Sequence, residues 1–390
     1  MFVPTLPKTF VIPDFFSFCP FRYECNPYHD ISVVQSRDWI ASYGLFDADR
    51  LALFHKGEHE LLASYAYPDA DLEHIRTCHD YINLLIAVDD VADEQDSDGA
   101  THTMTTCIKA FRNPEWDDGT NLTRMCKDFL KKLEGTAHPN VVERFIVHTV
   151  DYLAACAQES RNRQANHVLT MLAYEPLRRN NGATLPCFDL TEYCYGICLP
   201  DDVFDDFDMI NMRMSSTDLI NYSNDCFSFD KEQASGHYGH NLVSVMMRDK
   251  QCDLQTSNDL IGAHCKALTD GFLESKEHIR SYGAEDDKAI ALYIKGLEAW
   301  VWANLIWSFK SKRYFKDKSE EIMRTRTVTV SPRRKLAAVK MGENGIRICT
   351  GTPEVTPAVQ EKTRSGIASF ISTRFNSLYT AIRSLVHQFL

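Results

Sequence analysis

The apolar residues of this 390-residue chain recur at intervals of three and four wherever a clear pattern exists. This spacing puts them on one face of an α-helix, whereas a half-exposed strand would show strict alternation. One such run contains Val142, Phe145, Ile146, Val150, Leu153 and Cys156. No convincing alternating run is found, and glycines and prolines separate the helical stretches. We therefore expect an all-α protein of about ten or more helices around a large core.

The net charge and the cysteine content limit which binding partners and which cellular compartment we expect for this protein. The net charge of −12 argues against nucleic acid, because binding its phosphates needs a basic surface. The 13 cysteines are odd in number and form no CxxC pair, so we expect reduced thiols that fill the core. Residues 1–16 contain three prolines and no apolar run behind a basic start. We therefore expect no secretory signal and a cytoplasmic protein.

An acidic string, residues 89–94, directly follows a largely apolar run at residues 82–88. It contains Asp89, Asp90, Asp93 and Glu94, and in a helix the spacing of four puts Asp89 and Asp93 on one face. Acidic clusters alone are more often solvated helix faces or N-terminal caps. The apolar run at residues 82–88 instead puts these carboxylates at the end of a buried helix, which favours a metal site.

A second set of oxygen ligands lies far along the chain. Asn224, Ser228 and Glu232 are four residues apart, so they share one helical stripe, which we call the ligand stripe. Asn and Ser are poor helix formers, and a merely polar face does not explain their recurrence at this spacing. Oxygen ligands without Cys or His suit Mg²⁺, which completes its shell with water and phosphate oxygens. Two such sets facing each other would clamp a diphosphate.

The two sets together resemble the motifs of the class I terpene cyclases, and most closely those of the fungal sesquiterpene synthases. That family carries a D(D/E)xxD motif and an (N/D)DxxSxxxE motif, and both are met here in the expected order. The metal ligands that the resemblance implies are Asp89, Asp90, Asp93, Asn224, Ser228 and Glu232. Lys231, just before the last of these, also matches the family and is implied to bind the substrate.

Two further segments resemble family motifs. Arg178 looks like the diphosphate-sensing arginine, and Gly182 like the effector position at a helix break. Between them the family often has Asp, whereas this chain has Asn181, which can hydrogen-bond the arginine but cannot form an ion pair with it. Near the end of the core, Arg313 and Tyr314 resemble the family's Arg-Tyr pair. In isolation both arginines would be read as surface salt-bridge residues, and their spacing to the other motifs changes that interpretation.

Trp307 precedes the Arg-Tyr pair, as in the family. A tryptophan is more often a core residue than a catalytic one. Its indole face is nevertheless a good partner for a cation, so Trp307 is also a candidate for lining the substrate cavity.

A second string that fits DDxxD lies at residues 201–206. It directly follows Pro200, where acidic residues favour the start of a helix by capping it and by meeting the helix dipole. We assign this string to capping and not to metal binding.

The resemblance implies a fold and a reaction. Class I cyclases are antiparallel helical bundles around a deep apolar cavity, with the two metal motifs on opposite walls at its mouth. The implied enzyme is a carbon-oxygen lyase acting on phosphates, a Mg²⁺-dependent sesquiterpene synthase that ionises farnesyl diphosphate, releases diphosphate and cyclises the carbocation. Three Mg²⁺ ions are implied, with Mn²⁺ as a substitute. The implied substrate-binding residues are Arg178, Asn181, Lys231, Trp307, Arg313 and Tyr314.

Three alternatives stay open at this point. The first is a geranyl diphosphate cyclase, which would use the same site with a shorter chain. The second is a chain-elongating prenyl transferase, for which residues 201–206 would have to be a second metal motif and Asn224 and Glu232 would be idle. The third is a non-catalytic protein that binds prenyl diphosphates. Both a monomer and a homodimer are compatible with the sequence.

We expect residues 1–323 to form the cyclase domain and residues 324–390 to form an extension. The extension begins with Thr, Val, Ser, Pro, Gly and basic residues, which predicts a flexible linker. It ends in an amphipathic helix whose apolar face is formed by Ile367, Phe370, Ile371, Phe375, Leu378, Ile382, Leu385, Val386 and Phe389. This helix would dock on its own globule or a second subunit, or it would attach reversibly to a membrane surface.

Deletion of residues 360–390 tests the membrane hypothesis. If the apolar face and its neighbouring arginines bind lipid, the deletion is expected to reduce binding to anionic liposomes in a sedimentation assay. Equal binding by the full chain and the truncated chain would contradict a membrane role.

Overall fold

Helices dominate the computed structural model, which describes residues 6–165 and 167–333 and the backbone of residues 339–341 and 347–349. Many of these helices begin at a side chain that accepts one of the free N–H groups of the first turn. Asp71, for example, accepts the His74 N–H at 3.0 Å, at the start of the helix that ends in the acidic string. Similar caps are Asp47, Asp96, Thr120, Asp206, Asn241 and Asp253.

The described chain forms sixteen α-helices and two short antiparallel strand pairs. The first half contains β1 (Thr9–Val11), α1 (Phe15–Phe18), α2 (His29–Ser42), α3 (Ala48–His55), α4 (His59–Ala66), α5 (Leu72–Asp93), α6 (Ser97–Arg112), α7 (Asn121–Glu134) and α8 (Pro139–Gln164). The second half contains α9 (Met171–Asn181), α10 (Thr184–Tyr195), α11 (Asp201–Phe204), α12 (Phe207–Ser235), α13 (Leu242–Asp249), α14 (Leu254–His278), α15 (Ala284–Lys310), α16 (Ser319–Thr325), β2 (Thr327–Thr329), β3 (Val339–Met341) and β4 (Arg347–Cys349). The prediction of an all-α protein is confirmed.

The core is built around α12 and α15, which pack against each other, while α12 also packs against α14 and α15 against α4. Among the described helices, only α15 has the length and apolar composition to cross a membrane. Of the window that passes this test, 72% is buried within the protein. Such burial is typical of the central helix of a bundle, where apolar residues lie all around the helix.

The cysteines contribute to this core. The twelve cysteines from Cys19 to Cys265, whose side chains the structure describes, are all free, and most of them are buried. The sulfur atoms of Cys78 and Cys194 lie 3.3 Å apart, in hydrogen-bond contact. The thiols therefore act as small apolar side chains, as we expected from their number and spacing.

Short strands are the feature that the sequence did not predict. β1 pairs with β2 in antiparallel register, with Thr9 opposite Thr329 and Val11 opposite Thr327. Phe10 of β1 packs edge-on against Phe229 of α12, with 5.7 Å between ring centroids. Three residues are too few to show a strand's alternation, so periodicity could not reveal this pair.

The structure corrects where the predicted linker begins. Residue 324 lies inside α16, and the chain then continues into β2. Beyond β2, the Ser331 N–H and hydroxyl both donate to the Asp230 carboxylate of α12, each at 2.7 Å. Residues 324–331 are thus part of the folded structure. The predicted amphipathic helix at residues 367–390 lies outside the described residues.

The acidic residues at 201–206 occupy helix starts. Asp201 and Asp202 form the first turn of α11, and Asp206 caps α12 by accepting the Asp208 N–H at 2.9 Å. Asp201 also meets Arg144, near the start of α8, at 3.3 Å. The prediction that this string caps helices is confirmed.

Two glycines provide a matched test of the core packing. A Cβ at Gly296 of α15 would lie 2.1 Å from Thr191 Cγ2 of α10, whereas at Gly271 of α14 its nearest neighbour would be Asn211 Nδ2 at 3.7 Å. Gly296→Ala is therefore expected to lower the free energy of unfolding by about 1–3 kcal/mol. Gly271→Ala should raise it by about 0.5–1 kcal/mol, because alanine is the better helix former. Urea denaturation of both variants measures the difference, and equal effects would contradict the close packing of α15 on α10.

Candidate active site

Asp89 and Asp90 lie in the last turn of α5, whose preceding turns are buried in the core. Burial raises the pKa of the Asp89 carboxyl to about 8, and the neighbouring charges of Asp93, Glu159 and Asp90 add to this rise. The pKa of Asp90 is also raised, mainly by burial. Carboxylates that repel one another in a poorly solvated place favour a bound cation, which would relieve their repulsion.

Asp93 and Glu94 have basic partners within the protein. Asp93 pairs with Arg163 of α8 at 2.6 Å, and Glu94 pairs with Arg50 of α3 at 2.8 Å. Among the ion pairs of the described residues, none includes Asp89 or Asp90. The two leading carboxylates of the acidic string are thus available to a cation, while a metal role for Asp93 would require it to leave Arg163 and stays a prediction.

The ligand stripe lies on α12, which packs against both α14 and α15. The Asn224 side chain accepts a hydrogen bond from Arg178 Nη2 at 2.9 Å and donates one to the Tyr314 hydroxyl at 2.7 Å. Ser228 and Glu232 lie on the following turns, and the buried Asn241 amide donates to Glu232 Oε2 at 2.9 Å and to Ser228 Oγ at 3.4 Å. The three predicted ligands thus carry oxygen atoms along one face of the helix.

Glu232 is a buried acid with a raised pKa. Burial raises the pKa of its carboxyl to about 7, with a further rise from the nearby charge of Asp225. The hydrogen bond from Asn241 acts in the opposite direction. As at Asp89, the surroundings of this carboxylate favour a cation beside it.

The segment with the predicted sensor is the C-terminal turn of α9. Arg178 donates from Nε to Asp225 Oδ1 at 3.0 Å and from Nη1 to Asn181 Oδ1 at 3.3 Å, in addition to its bond with Asn224. Arg179 turns away and pairs with Asp218 at 2.6 Å. Of the two adjacent arginines, therefore, only Arg178 contacts the ligand stripe.

Gly182 marks the break between α9 and α10. The next residue, Ala183, has a left-handed backbone with φ of 53°. A Cβ at Gly182 would lie 2.0 Å from Asn221 Oδ1 of α12, and the Asn221 amide donates to the Arg178 carbonyl at 3.2 Å. Glycine is needed at this position because α12 packs directly against the break.

Arg313 and Lys231 supply positive charge close to the acidic string. Arg313 donates from Nη1 to His59 Nε2 at 3.3 Å. Burial, and then the charge of Arg313, hold the pKa of His59 well below its usual range, so His59 is a neutral partner. The proximity of Arg313, and then burial, lower the pKa of Lys231. Neither cation has a carboxylate in ion-pair contact within the described part of the chain, so both are free to meet an anion.

Trp307 packs against the Arg-Tyr pair. It is 3% exposed, and its indole N–H donates to the Glu58 carbonyl at 2.8 Å. The Tyr314 ring lies edge-on to it at 5.8 Å, and the Arg313 guanidinium lies 5.9 Å from the centre of its ring. In this structure Trp307 is a packed residue that anchors the turn between α3 and α4.

These contacts connect the C-terminal parts of α5, α9, α12 and α15, because Arg313 lies near Asp89 and Asp90 while the adjacent Tyr314 is bonded to Asn224. We call this region the mouth. The predicted metal donors in it, Asp89 and Asp90 of α5 and the ligand stripe of α12, are oxygen atoms only. In the described ranges, no three His, Cys, Asp or Glu residues are arranged to hold a metal by themselves. That composition fits Mg²⁺, which needs few protein ligands when water and phosphate oxygens complete its shell.

Several residues that shape the mouth were missed by sequence reasoning. Asp225 accepts from Arg178 and from Tyr174, Asn241 donates to Glu232, and Glu159 accepts a hydrogen bond from Asn181 at 2.5 Å. Asp225 carried one signal, since it is a charged residue directly beside Asn224. The others are distant in sequence from the residues they contact.

Comparison with known proteins agrees with this geometry. Residues 80–270 match the family described as Terpene synthase family 2, C-terminal metal binding. Linoleate 10R-lipoxygenase COP4 of Coprinopsis cinerea is 36% identical over 331 residues, which cover 85% of this chain and 96% of that protein. Bifunctional terpene synthase Agr4 of Cyclocybe aegerita is 36% identical over 328 residues, with coverage of 84% and 95%. Sesquiterpene synthase 6 of Postia placenta is 32% identical over 334 residues, with coverage of 85% and 98%.

A solved structure shows the same fold. It is titled Hedycaryol synthase in complex with HEPES, and it matches with a TM-score of 0.67 and 22% identity over 76% of this chain and 98% of that one. The fold is therefore that of the class I terpene synthases, an antiparallel helical bundle. The chain belongs to the terpene synthase family, and its fungal relatives include sesquiterpene synthases.

The raised pKa of Asp89 predicts how stability depends on pH. Between its ordinary pKa of 3.8 and about 8, the folded state holds a proton that the unfolded state has lost, so stability falls as pH rises through this window. Asp89→Asn removes that loss. The variant is expected to be more stable than the wild type at pH 8 without divalent ions, by on the order of 1–3 kcal/mol, and nearly equal to it at pH 4.

Denaturation curves in the presence of a chelator measure this effect, with Asp201→Asn as the control. The Asp201 side chain is exposed and already has Arg144 as a partner, so its replacement should not stabilise the protein at pH 8. Equal responses of the two variants would show that Asp89 carries no unrelieved charge.

Proposed function

We propose that this terpene cyclase is a Mg²⁺-dependent sesquiterpene synthase that ionises farnesyl diphosphate, releases diphosphate and cyclises the resulting carbocation. The observation that carries the proposal is the pairing of charges at the mouth. Oxygen ligands without cationic partners, at Asp89 and Asp90, lie close to cations without carboxylate partners, at Lys231 and Arg313. A metal–diphosphate unit would meet both needs at once.

The residues that would hold the metal are Asp89 and Asp90 on α5 and the ligand stripe on α12, with Asp93 as a further candidate. When bound, three Mg²⁺ ions, or Mn²⁺ in their place, would neutralise the diphosphate and favour its departure as a leaving group. Asn224 would have to exchange its hydrogen bond from Arg178 for a metal contact. That exchange would release a guanidinium N–H group toward the diphosphate.

Arg178, Lys231, Arg313 and Tyr314 would bind the diphosphate directly. When the carbon–oxygen bond breaks, negative charge accumulates on the diphosphate oxygens, and donors already placed around them stabilise the transition state. The bonding electrons leave with the diphosphate, and an allylic cation remains in the apolar interior. No covalent nucleophile is required.

Water must be kept from the cation. Arg313 and Tyr314 lie just after α15, and Tyr314 already accepts a hydrogen bond from Asn224 at 2.7 Å. Contact of both residues with the diphosphate would close the mouth when the substrate is present. The break at Gly182 and Ala183 would direct backbone dipoles toward the new cation, with Asn181 linking this segment to Arg178. Ring closure would follow cavity shape, and loss of a proton would end the reaction.

Farnesyl diphosphate is favoured over geranyl diphosphate because relatives with high coverage are named sesquiterpene synthases. The oxygenation of a fatty acid named for the Coprinopsis cinerea relative is a statement about that protein. The cations at the present mouth suit a more strongly charged ligand than a single carboxylate.

The position of residues 201–206 argues against a chain-elongating transferase. Asp201 contacts Arg144 near the start of α8, whereas Glu159 of the same helix contacts Asn181 at the mouth. Fifteen residues of helix separate Arg144 from Glu159, which is about 22 Å. The second aspartate string is therefore far from the acidic string and cannot share a diphosphate with it.

Incubation of the purified protein with Mg²⁺ and farnesyl or geranyl diphosphate tests the proposal. Gas chromatography and mass spectrometry should detect cyclic sesquiterpenes from farnesyl diphosphate, and Asp89→Ala or Asn224→Ala should lower their formation by at least about 100-fold. Asp201→Ala is the matched control and should retain activity. Formation of a longer prenyl diphosphate when isopentenyl diphosphate is added would mean that the protein is an elongating enzyme and not a cyclase. Tight binding without turnover would instead favour a sequestering role.

A further inference from the structure

Asp225 is a buried carboxylate within the second motif that is not one of its predicted metal ligands. It follows Asn224 directly, so its side chain leaves α12 in a direction rotated by about 100° from the ligand stripe. Its residue is 2% exposed. Oδ1 accepts a hydrogen bond from Arg178 Nε at 3.0 Å, and Arg178 Nη2 lies in ion-pair contact with the same oxygen at 2.9 Å. Oδ2 accepts from the Tyr174 hydroxyl and from the Leu242 N–H, the latter at 2.9 Å. Three hydrogen-bond donors and a second guanidinium nitrogen therefore surround this carboxylate.

These contacts fix the direction of the Arg178 guanidinium. The two nitrogen atoms Nε and Nη2, on one edge of the planar guanidinium, both lie within 3.0 Å of one carboxylate oxygen, and this determines the plane of the whole group. The remaining contacts of Arg178 are with Asn224 at 2.9 Å and Asn181 at 3.3 Å, both on the side of the mouth. Asp225 thus sets the direction in which the other N–H groups of Arg178 point.

Tyr174 and Leu242 hold Asp225 in turn. Tyr174 lies one turn before Arg178 on α9 and is fully buried, so residues 174 and 178 face α12 together. Leu242 is the first residue of α13, whose start is capped by Asn241. One carboxylate consequently joins three helices around the predicted sensor.

A second ion pair joins α9 to α12 without touching the ligand stripe. Asp218 lies seven residues before Asp225, two helical turns away, and accepts from Arg179 Nε at 2.8 Å and Nη2 at 2.6 Å. Its side chain is 3% exposed, as is that of Asp225. The two pairs are alike in chemistry and burial, and they differ in that only the pair of Asp225 has an arginine bonded to Asn224.

We propose that Asp225 and Tyr174 are positioning residues, which orient the Arg178 guanidinium toward the leaving diphosphate. This inference rests on the proposed function, because the reaction that it concerns is the one proposed above. What it adds is the cause of the orientation of the Arg178 guanidinium. Asp225 itself is assigned no contact with substrate or metal. Its effect on the reaction passes through Arg178.

The experiment compares Asp225→Asn, Tyr174→Phe and the control Asp218→Asn in the full chain. Three quantities are measured: melting temperature, kcat and KM for farnesyl diphosphate, and the affinity for inorganic pyrophosphate with Mg²⁺ by calorimetry. Asp225→Asn is expected to lower kcat by about 10- to 100-fold with a smaller change in KM, because a misdirected donor costs most in the transition state. Pyrophosphate affinity should fall with kcat. Asp218→Asn should lower the melting temperature similarly and change kcat and pyrophosphate affinity by less than about 3-fold.

A double variant separates positioning from simple loss of structure. In an Arg178→Ala background, Asp225→Asn should cause no further loss of kcat or pyrophosphate affinity, because the guanidinium that Asp225 orients is already absent. Equal functional losses in Asp225→Asn and Asp218→Asn, or a further loss in that background, would overturn the proposal. If Asp225→Asn does not fold, Tyr174→Phe decides, since it removes only one hydrogen bond and should still lower kcat by about 3- to 10-fold.

The two proposals can fail separately. A wild-type protein that binds Mg²⁺-pyrophosphate but turns over no prenyl diphosphate would contradict the proposed function, and weaker binding by Asp225→Asn would still support positioning. Normal turnover by every Asp225 and Tyr174 variant would leave the synthase intact and overturn the positioning role. Failure of the wild type to bind pyrophosphate would overturn it as well, since Arg178 would then have no diphosphate to meet.

Discussion

A continuous run of hydrogen bonds across the mouth holds the four parts of the site in register. It passes from Glu159 of α8 to Asn181, through Arg178 of α9, to Asn224 of α12 and then to Tyr314 beyond α15. Each group in it is at least partly buried, so each would carry some desolvation cost without its partners. The packing of the apolar helices makes this end of the bundle, but the hydrogen-bonded run fixes how the helix ends are placed there.

The sequence predicted most of the mouth because the residues of each motif lie close together along the chain. Residues four apart on a helix share a face whatever the rest of the fold does, so the spacing of Asn224, Ser228 and Glu232 was enough to group them. An apolar run before Asp89 likewise predicted a buried helix end. The long helices were predictable for the same reason, since their spacing repeats over many turns.

What the sequence could not supply depends on contacts between distant residues. Asn241 reaches Glu232 only because the chain turns back after α12, and the β1–β2 pair joins residues more than 300 positions apart. The two aspartate strings show the same limit in reverse. Both match the same sequence pattern, yet one lies beside Glu159 and the other lies at helix starts beside Arg144. In the sequence, only neighbouring residues such as Pro200 indicated the difference.

The β1–β2 pair has a mechanical consequence for the site. Phe10 rests on Phe229, and the segment after β2 is bonded to Asp230, one turn from the end of the helix that carries the ligand stripe. The beginning of the chain and the stretch that follows Arg313 and Tyr314 are therefore fastened to each other and to that helix. Protein engineers usually regard residues near the start of a chain as a free place for tags and trimming. In this protein that stretch braces the helix that carries the ligand stripe, so altering it is expected to disturb the mouth.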